Sequence, residues 1–264
     1  MRSKDETTIA SPPLGLILSG GGARAAYQVG VLVAIARLLP KHARNPFPII
    51  CGTSAGAINA AVLACYATDF REGVLRLATV WKNFHVDHIY RSDPLGVFSN
   101  AAHWIVMLLS GGLGRHAPVS LLDNSPLARL LEGRIEFDRI QSCIEAGALH
   151  AVSITASGYT SAQSVTFYQG VDTLVPWKRA ARMGCNAKID AQHLLASSAI
   201  PFIFPAVRIN REYFGDGSMR QLAPISPALH LGARRILVVG TGRPRDGDPD
   251  RLKVTDYPPL AQIA

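Results

Sequence analysis

Short hydrophobic runs alternate along the chain with segments of helical character. Leu14 to Ser19 and Phe47 to Cys51 are apolar runs that each stop at glycine, as strands buried on both faces of a parallel sheet do. Ala25 to Leu39 and Ser54 to Ala67 have the residue pattern of helices. The order strand, loop, helix, strand, turn, helix predicts an α/β fold with functional loops at the carboxyl ends of parallel strands.

The second half of the chain contains further strand and helix patterns. Gly158 separates two apolar runs, and Asn210-Arg211 separates two shorter ones that are typical of a hairpin. The predicted elements are strands at Leu149–Thr155, Val165–Tyr168, Val207–Ile209, Glu212–Phe214 and Arg235–Gly240, and a helix at Ala191–Ser198.

Residues 69 to 140 lack this strand pattern and predict a helical insertion over or beside the sheet. Val74–Trp81 and Ala101–Leu109 are its helix-like stretches, with turn signals at Asp93-Pro94 and Gly111-Gly112. The predicted organisation is a flexible lead at residues 1–13, one domain at 14–240 that contains the insertion, and a tail at 241–264. The tail ends in an apolar stub, LAQIA, which suggests a truncated sequence.

The composition is that of a folded domain with a basic surface. Of 264 residues, 48% are hydrophobic and 17% are charged, which supplies enough apolar material for a large core. The formal net charge of +8 favours anionic partners, either phospholipid surfaces or nucleic acid, although a solvated basic surface has the same charge. Lysines and arginines are scattered without a nucleic-acid-binding motif, which disfavours nucleic acid.

No segment of the sequence is typical of a secretory signal or of a membrane span. The N-terminal residues MRSKDETTIASPP mix charges of both signs and lack an apolar core. The apolar stretches fall well short of the ~20 residues that a spanning helix needs. We expect a cytoplasmic protein with peripheral contact to an anionic membrane surface, for which Trp104 to Leu109 is a candidate insertion face unless it is a buried helix.

The four cysteines are at positions 51, 65, 143 and 185. They form neither a CxxC pair nor a zinc-ligand spacing with histidine. They are interpreted as buried thiols in a reducing compartment, and no metal site is predicted.

A G-x-S-x-G motif, GTSAG at residues 52–56, lies between a predicted strand and a predicted helix. A nucleophilic serine needs its hydroxyl exposed at a sharp turn, and flanking glycines allow the strained backbone and the close approach of the two elements. The motif also occurs by chance in chains rich in glycine and serine. The strand-turn-helix context nevertheless favours a nucleophile at Ser54.

A run of three glycines, Gly20–Gly22, follows the first predicted strand and precedes a helix. Backbone N–H groups at such a helix start bind negative charge, either a phosphate or the oxyanion of a tetrahedral intermediate. A dinucleotide site needs an acidic residue after the second strand, whereas none occurs between Glu6 and Asp69, and no P-loop lysine follows. The loop is therefore predicted to be an oxyanion hole, and no cofactor is predicted.

A third motif, Gly215-Asp216-Gly217, follows the predicted hairpin and places an acid on what should be an exposed, tightly bent loop. Asp-Gly is among the commonest turn dipeptides, so the segment alone fits an ordinary turn. Together with a nucleophile motif and a glycine loop, Asp216 becomes a candidate general base.

These three motifs, in this order, resemble those of the patatin-like phospholipase family over residues 14 to 240. This sequence has GGGARA, GTSAG and DGS where the family has G-G-G-x-R-G, G-x-S-x-G and D-G-G/A, and SSAIPFIFPAV at 197–207 resembles the run before the aspartate loop. The resemblance implies a three-layer α/β/α fold and hydrolysis of a phospholipid or another fatty-acyl ester. It implies as site residues the nucleophile Ser54 and the base Asp216, the oxyanion loop Gly20, Gly21, Gly22, Ala23 and Arg24, the elbow residues Gly52, Thr53, Ala55 and Gly56, and the aspartate-loop residues Gly217 and Ser218.

Two residues depart from the family pattern. Ala25 replaces the last glycine of the first motif, and Ser218 replaces the usual residue after Asp216-Gly217. Since both replacements are small, we expect local strain rather than loss of function.

Two alternatives stay open at this point. An α/β-hydrolase triad needs a histidine after the acid, and His230 is the one histidine in that part of the sequence. It lies in a predicted helix that enters the strand Arg235–Gly240, near the N-terminal edge of that strand and away from the serine. The chain could also be a lipid-binding relative that has lost turnover, although the nucleophile, the base and the glycine loop are all present.

Overall fold

The computed structural model describes residues 13–41, 43–83, 120 and 122–242 of the chain. In these ranges the strands are β1 (Leu14–Leu18), β2 (Ile49–Thr53), β3 (Ala151–Gly158), β4 (Ser164–Gly170), β5 (Trp177–Arg179), β6 (Arg182–Asn186), β7 (Val207–Ile209), β8 (Glu212–Asp216) and β9 (Arg235–Val239). The helices are α1 (Ala26–Leu38), α2 (Ala55–Cys65), α3 (Phe70–Lys82), α4 (Ser125–Arg134), α5 (Asp138–Glu145), α6 (Ala191–Ser198) and α7 (Ser226–His230). Single 3-10 turns occur at Gly22–Ala25 and Gly217–Met219.

The strands form one sheet around a parallel centre. Its main path is β5-β6-β4-β3-β2-β1-β9, and the hairpin β7-β8 joins it because β8 pairs with β3. The central strands β3, β2, β1 and β9 are parallel, whereas β4 and β8 run antiparallel to β3. The predicted α/β fold with a mainly parallel central sheet is confirmed.

Alternate residues of the central strands fill two separate cores. Leu16 and Leu18 of β1 pack into the larger core with side chains from α1 to α6, whereas Ile17 packs into the smaller one. Ala228 and Leu231, in and next to α7, cover the smaller core. Because successive side chains of a strand point to opposite faces, this division places helices on both faces of the sheet, as predicted for a three-layer fold.

Helix α2 is the central helix of the larger core. All of its residues except Ile58 are buried, and most of them are alanine or other small residues. A helix that is apolar all round is typical of a protein interior. Since α2 begins directly after β2, its N-terminus lies at the carboxyl edge of the parallel strands, where α/β sheets usually carry their sites.

The sequence patterns located most elements but not all of their ends. Helix α6 has the predicted bounds, and β2 extends through Gly52 to Thr53. The polar strands β5 and β6 have no apolar run and are absent from the prediction.

Helices α3 and α4 lie within the predicted insertion. Its other helix-like stretch, Ala101–Leu109, lies outside the described residues, as do residues 1–12 of the lead and 243–264 of the tail. No helix in the described part of the chain is both long and apolar enough to cross a membrane.

Candidate active site

Ser54 lies at a sharp turn between β2 and α2, in the context expected from the sequence. Its backbone has φ 54° and ψ −130°, in a sparsely populated region that costs a non-glycine residue ~1–3 kcal/mol. A Cβ on Gly52 would lie 2.6 Å from the Cα of Ala57. A Cβ on Gly56 would lie 2.2 Å from the carbonyl oxygen of Leu18. Both glycines are therefore needed for the first turn of α2 to pack directly on the sheet.

Strand β3 brings Ser54 and Asp216 together. Its pairing with β2 ends at Thr155, opposite Thr53, and its next residue, Ala156, pairs with Asp216 at the end of β8. The strands β2 and β8 thus meet end to end along one edge of β3. Ser54 Oγ donates a hydrogen bond of 2.6 Å to Asp216 Oδ2.

Asp216 is held by three further hydrogen bonds. Its Oδ1 accepts the Ser218 N–H at 2.8 Å. Its own N–H donates to the carbonyl of Ala199, and its carbonyl accepts from Ser157 Oγ, each at 2.8 Å. Asp216 is only 5% exposed and Ser54 only 8%. The prediction of an exposed aspartate loop is therefore wrong, because pairing with β3 buries this Asp-Gly segment.

The residues that flank this pair pack closely against β3. A Cβ on Gly217 would lie 2.0 Å from the carbonyl oxygen of Thr155 and 2.9 Å from Cγ2 of Thr53. Thr53 is buried, and its hydroxyl donates to Gln221 Oε1 at 3.1 Å. Thr53 therefore links the serine turn to the segment that follows the aspartate.

Ser197 contacts the site and was not predicted as a site residue. Its Oγ accepts the Ser54 N–H at 2.8 Å and donates to the Thr155 carbonyl at 2.6 Å, and the side chain is fully buried. Ser197 is near the end of α6, within the segment SSAIPFIFPAV that resembles the run before the family's aspartate loop. A small polar residue on the apolar face of a predicted helix was the available signal.

The glycine loop lies beside Ser54. A Cβ on Gly20 would lie 3.0 Å from Ser54 Cβ and 2.4 Å from Ser218 Oγ, so glycine permits this close approach. Gly22 has φ +54° and begins the 3-10 turn that leads into α1. The N–H groups at the start of a helix lack acceptors within that helix, and Ala55 is in the same position at the start of α2. Such groups can stabilise negative charge that develops next to Ser54.

The two positions at which the sequence departs from the family pattern, Ala25 and Ser218, show no backbone strain. Ala23 and Arg24 are exposed, and the Arg24 N–H donates to the Gly21 carbonyl at 3.1 Å. Ala25 is fully buried and has φ −64°, which any residue adopts. The strain expected there is therefore absent, and Ser218 is likewise not among the described residues with positive φ.

Tyr159 lies against the aspartate segment and was not predicted. A Cβ on Gly215 would lie 2.2 Å from Tyr159 Oη. Burial and the negative charge of Asp216 raise the pKa of Tyr159, and Arg220 opposes this shift. The Tyr159 hydroxyl therefore stays protonated at neutral pH and remains a hydrogen-bond donor beside the aspartate segment.

Two histidines of interest make their contacts elsewhere. His230 stacks on Trp177 with ring centroids 4.7 Å apart, and its Nδ1 lies 2.8 Å from the Ser226 carbonyl oxygen. His193 Nδ1 lies 2.7 Å from Asp190 Oδ1 in the N-terminal cap of α6. Neither ring therefore takes the place of the aspartate beside the serine.

The described cysteines are free thiols without a metal-site arrangement. Cys51, Cys65 and Cys143 are buried as predicted, whereas Cys185 is only half-buried. Burial raises the pKa of Cys51 and of Cys65 to about 12. Within the described ranges, no cluster of three or more His, Cys, Asp or Glu side chains could hold a metal ion.

The chain is similar to known proteins over most of its length. The family model for the patatin-like phospholipase matches residues 16–229. A cGAMP-activated phospholipase of Pseudomonas aeruginosa is 26% identical over 215 residues, which are 81% of this chain and 55% of the relative. The crystal structure of VipD from Legionella pneumophila is similar over 80% of this chain and 46% of the VipD chain, with a TM-score of 0.44 and 14% sequence identity. This chain thus spans about half the length of the Pseudomonas phospholipase and of the VipD chain.

Proposed function

Because the chain belongs to the patatin-like phospholipase family, we propose that it is a serine lipid acyl-hydrolase. The proposed reaction is cleavage of a fatty-acyl ester of a phospholipid, with Ser54 as nucleophile and Asp216 as base. The family and the Pseudomonas phospholipase support lipid acyl hydrolysis in general. For this chain, the proposal depends on the 2.6 Å hydrogen bond from Ser54 Oγ to Asp216 Oδ2 at a strained turn.

In the first half-reaction, Ser54 Oγ attacks the carbonyl carbon of the ester. Its proton passes to Asp216 Oδ2, the atom to which it is already hydrogen-bonded. The tetrahedral intermediate then collapses, and the leaving alcohol, a lysolipid, takes the proton from Asp216. The acyl group remains as an ester on Ser54.

In the second half-reaction, a water molecule attacks the acyl carbonyl and gives its proton to Asp216. The new tetrahedral intermediate collapses and releases the fatty acid. Ser54 Oγ recovers the proton from Asp216, so that the site returns to its starting state. Each proton that leaves an attacking oxygen is thus returned to a leaving oxygen by the same carboxylate.

The oxyanion hole carries much of the proposed acceleration. An ordinary carboxylate is a weaker base at neutral pH than an imidazole. Stabilisation of the oxyanion must therefore contribute more here than it does in a site with histidine, and one such donor is worth ~10²–10³ in kcat in serine hydrolases. We assign this role to the N–H groups of the glycine loop and of Ala55, which lie next to Ser54 at helix starts.

We propose further that the protein binds its substrate at an anionic membrane surface. Met219 and Leu222 follow Asp216 closely and are 64% and 87% exposed, and the exposed Arg220 lies between them in sequence. Exposed apolar residues next to basic ones are typical of surfaces that contact lipid head groups, and the net charge of +8 adds attraction. The candidate face Trp104 to Leu109 lies outside the described residues.

Release of fatty acid from phospholipid vesicles tests the proposed activity. We expect wild-type protein to release fatty acid and Ser54→Ala to release none. Ser164→Ala is a matched control, because Ser164 is a buried serine at the start of β4 and outside the serine–aspartate pair. Wild-type protein that binds vesicles without releasing fatty acid would instead be the inactive lipid-binding relative.

A further inference from the structure

Thr241 follows β9 and contacts the glycine loop. Its Oγ1 donates a hydrogen bond of 2.6 Å to the carbonyl oxygen of Gly20. A Cβ on Gly21 would lie 2.1 Å from the same Oγ1 and 2.7 Å from the Cβ of Thr241. One side chain therefore packs against both halves of the peptide unit that joins Gly20 to Gly21.

The orientation of this peptide unit decides where the Gly21 N–H points. In a trans peptide, the C=O and the N–H point in opposite directions. When the Gly20 carbonyl is bound to Thr241, the Gly21 N–H must therefore point away from Thr241. Glycine has wide backbone freedom, so the loop sequence alone does not fix this orientation, and an external hydrogen bond is needed to do so.

The buried side-chain amide of Gln28 links the two segments that lead into the glycine loop and into Thr241. Gln28 Nε2 donates to the Ser19 carbonyl at 2.8 Å and to the Val239 carbonyl at 3.1 Å. Ser19 directly precedes the glycine loop, and Val239 ends β9. Asn59 Nδ2 donates to Gln28 Oε1 at 3.0 Å, which fixes the direction in which the amide faces. The spacing between the loop and the end of β9 is thus set inside the protein, where Gln28 and Asn59 are fully buried.

We propose that Thr241 is a positioning residue of the oxyanion hole, and that its hydroxyl sets the Gly20–Gly21 peptide so that the Gly21 N–H faces the oxyanion. This inference rests on the proposed acyl-hydrolase function. Thr241 acts through the loop and does not contact the reacting atoms itself. It lies beyond residue 229, where the family match ends, and outside the glycine loop, the GTSAG motif and the aspartate segment.

The test compares two variants of Thr241. Thr241→Val removes the hydroxyl at nearly constant shape, and Thr241→Ser keeps the hydroxyl. Thr173→Val is the matched control, because Thr173 is an exposed residue of the segment between β4 and β5. For each protein, kcat and KM are measured with a soluble p-nitrophenyl ester, together with the rate constant of inactivation by a fluorophosphonate and the midpoint of thermal unfolding.

We expect Thr241→Val to lower kcat and the inactivation rate constant by about 10- to 100-fold, because a misdirected N–H stabilises the transition state less well. KM should change little, since the loss affects the transition state rather than substrate binding. Thr241→Ser should recover most of the rate, and Thr173→Val should match wild type.

Wild-type kcat in Thr241→Val would overturn the inference. Equal losses of rate in the valine and serine variants, with equal falls in unfolding midpoint, would also overturn it, because packing alone would then explain them. Both results leave the acyl-hydrolase proposal intact as long as wild-type protein is labelled at Ser54. A wild-type protein that neither hydrolyses the ester nor reacts with the fluorophosphonate would contradict both proposals.

Discussion

The hydroxyl group of Ser197 binds the backbone N–H of Ser54 across 143 residues of sequence. The N···Oγ distance is 2.8 Å, and the same hydroxyl donates to the Thr155 carbonyl at 2.6 Å. Since Ser54 has φ 54°, this bond stabilises a backbone conformation that serine rarely adopts. The nucleophile is thus held in place by a residue outside its own motif.

Ser197→Ala should weaken both the fold and the activity. It removes the acceptor and leaves the Ser54 N–H buried and unpaired, which costs ~1–3 kcal/mol. A shift of Ser54 away from its productive position should lower kcat by about tenfold or more. Urea denaturation and ester hydrolysis measure the two effects. Ser198→Ala is the control, because Ser198 Oγ has no hydrogen-bond partner among the described residues, and equal effects of both substitutions would contradict the role of Ser197.

Asp216→Asn should nearly abolish turnover without unfolding the protein. The amide has the shape of the carboxylate and its oxygen can still accept the Ser218 N–H, but it cannot take the proton of Ser54. The expected loss of kcat is ~10²-fold or more, which is the usual magnitude for removal of a general base. Steady-state hydrolysis and circular dichroism check the two parts of this expectation.

The histidine variants are the controls for this substitution. His230→Ala and His193→Ala should keep most of the turnover, because both rings make their contacts outside the serine–aspartate pair. His230→Ala should still lower stability by ~0.5–1.5 kcal/mol through loss of stacking on Trp177. A collapse of kcat in His230→Ala as large as that in Asp216→Asn would favour a triad.

Vesicle binding should depend on lipid charge and on salt. We expect tighter binding to phosphatidylglycerol than to phosphatidylcholine, by ~1 kcal/mol for each lysine or arginine that lies near the membrane surface. High salt should weaken this binding because it screens the attraction. Leu222→Ser should reduce binding, whereas Leu38→Ser, at an equally exposed site at the end of α1, should not. Equal co-sedimentation with both lipids at both salt concentrations would exclude a role for the basic charge.

The buried thiols should resist modification and weaken the fold at alkaline pH. Because burial raises the pKa of Cys51 and Cys65 from 9.0 to about 12, both stay protonated and unreactive towards a disulfide reagent at pH 8 in the folded protein. In the unfolded chain they ionise near pH 9.0, so their contribution to stability is full below that pH and is lost as the pH rises towards 12. Thiol titration and urea denaturation at pH 7 and 10 measure both effects. Rapid labelling of Cys51 in native protein would contradict this expectation.

Local patterns in the sequence predicted the elements that position the serine. The apolar runs that became β1 and β2 and the GTSAG motif carry their information within a few residues, so Ser54 was predicted correctly at the strand-helix turn. The burial of Asp216 was not predicted, because it depends on the pairing of β8 with β3, some 60 residues earlier in the chain. Asp-Gly alone is typical of an exposed turn.

Long-range partners of the site could not be predicted from local patterns. Ser197 and Thr241 contact the site only after the sheet has brought together residues 143 and 221 positions apart. The neighbouring strands β5, at the edge of the sheet, and β6 are mostly polar or half-exposed, so they lack the apolar alternation by which strands are recognised. The predicted domain limits at 14–240 and the insertion at 69–140 stay predictions.

Covalent labelling by a fluorophosphonate, followed by mass-spectrometric mapping of the adduct, tests most directly whether Ser54 is the nucleophile. We expect one phosphonyl adduct, on the peptide that contains Ser54, in wild-type protein and in Ser164→Ala. Ser54→Ala should carry none, although its unfolding free energy should differ from that of wild type by only about 1 kcal/mol. Full labelling of folded Ser54→Ala, or an adduct mapped to another serine of wild-type protein, would contradict the assignment of Ser54 as the nucleophile.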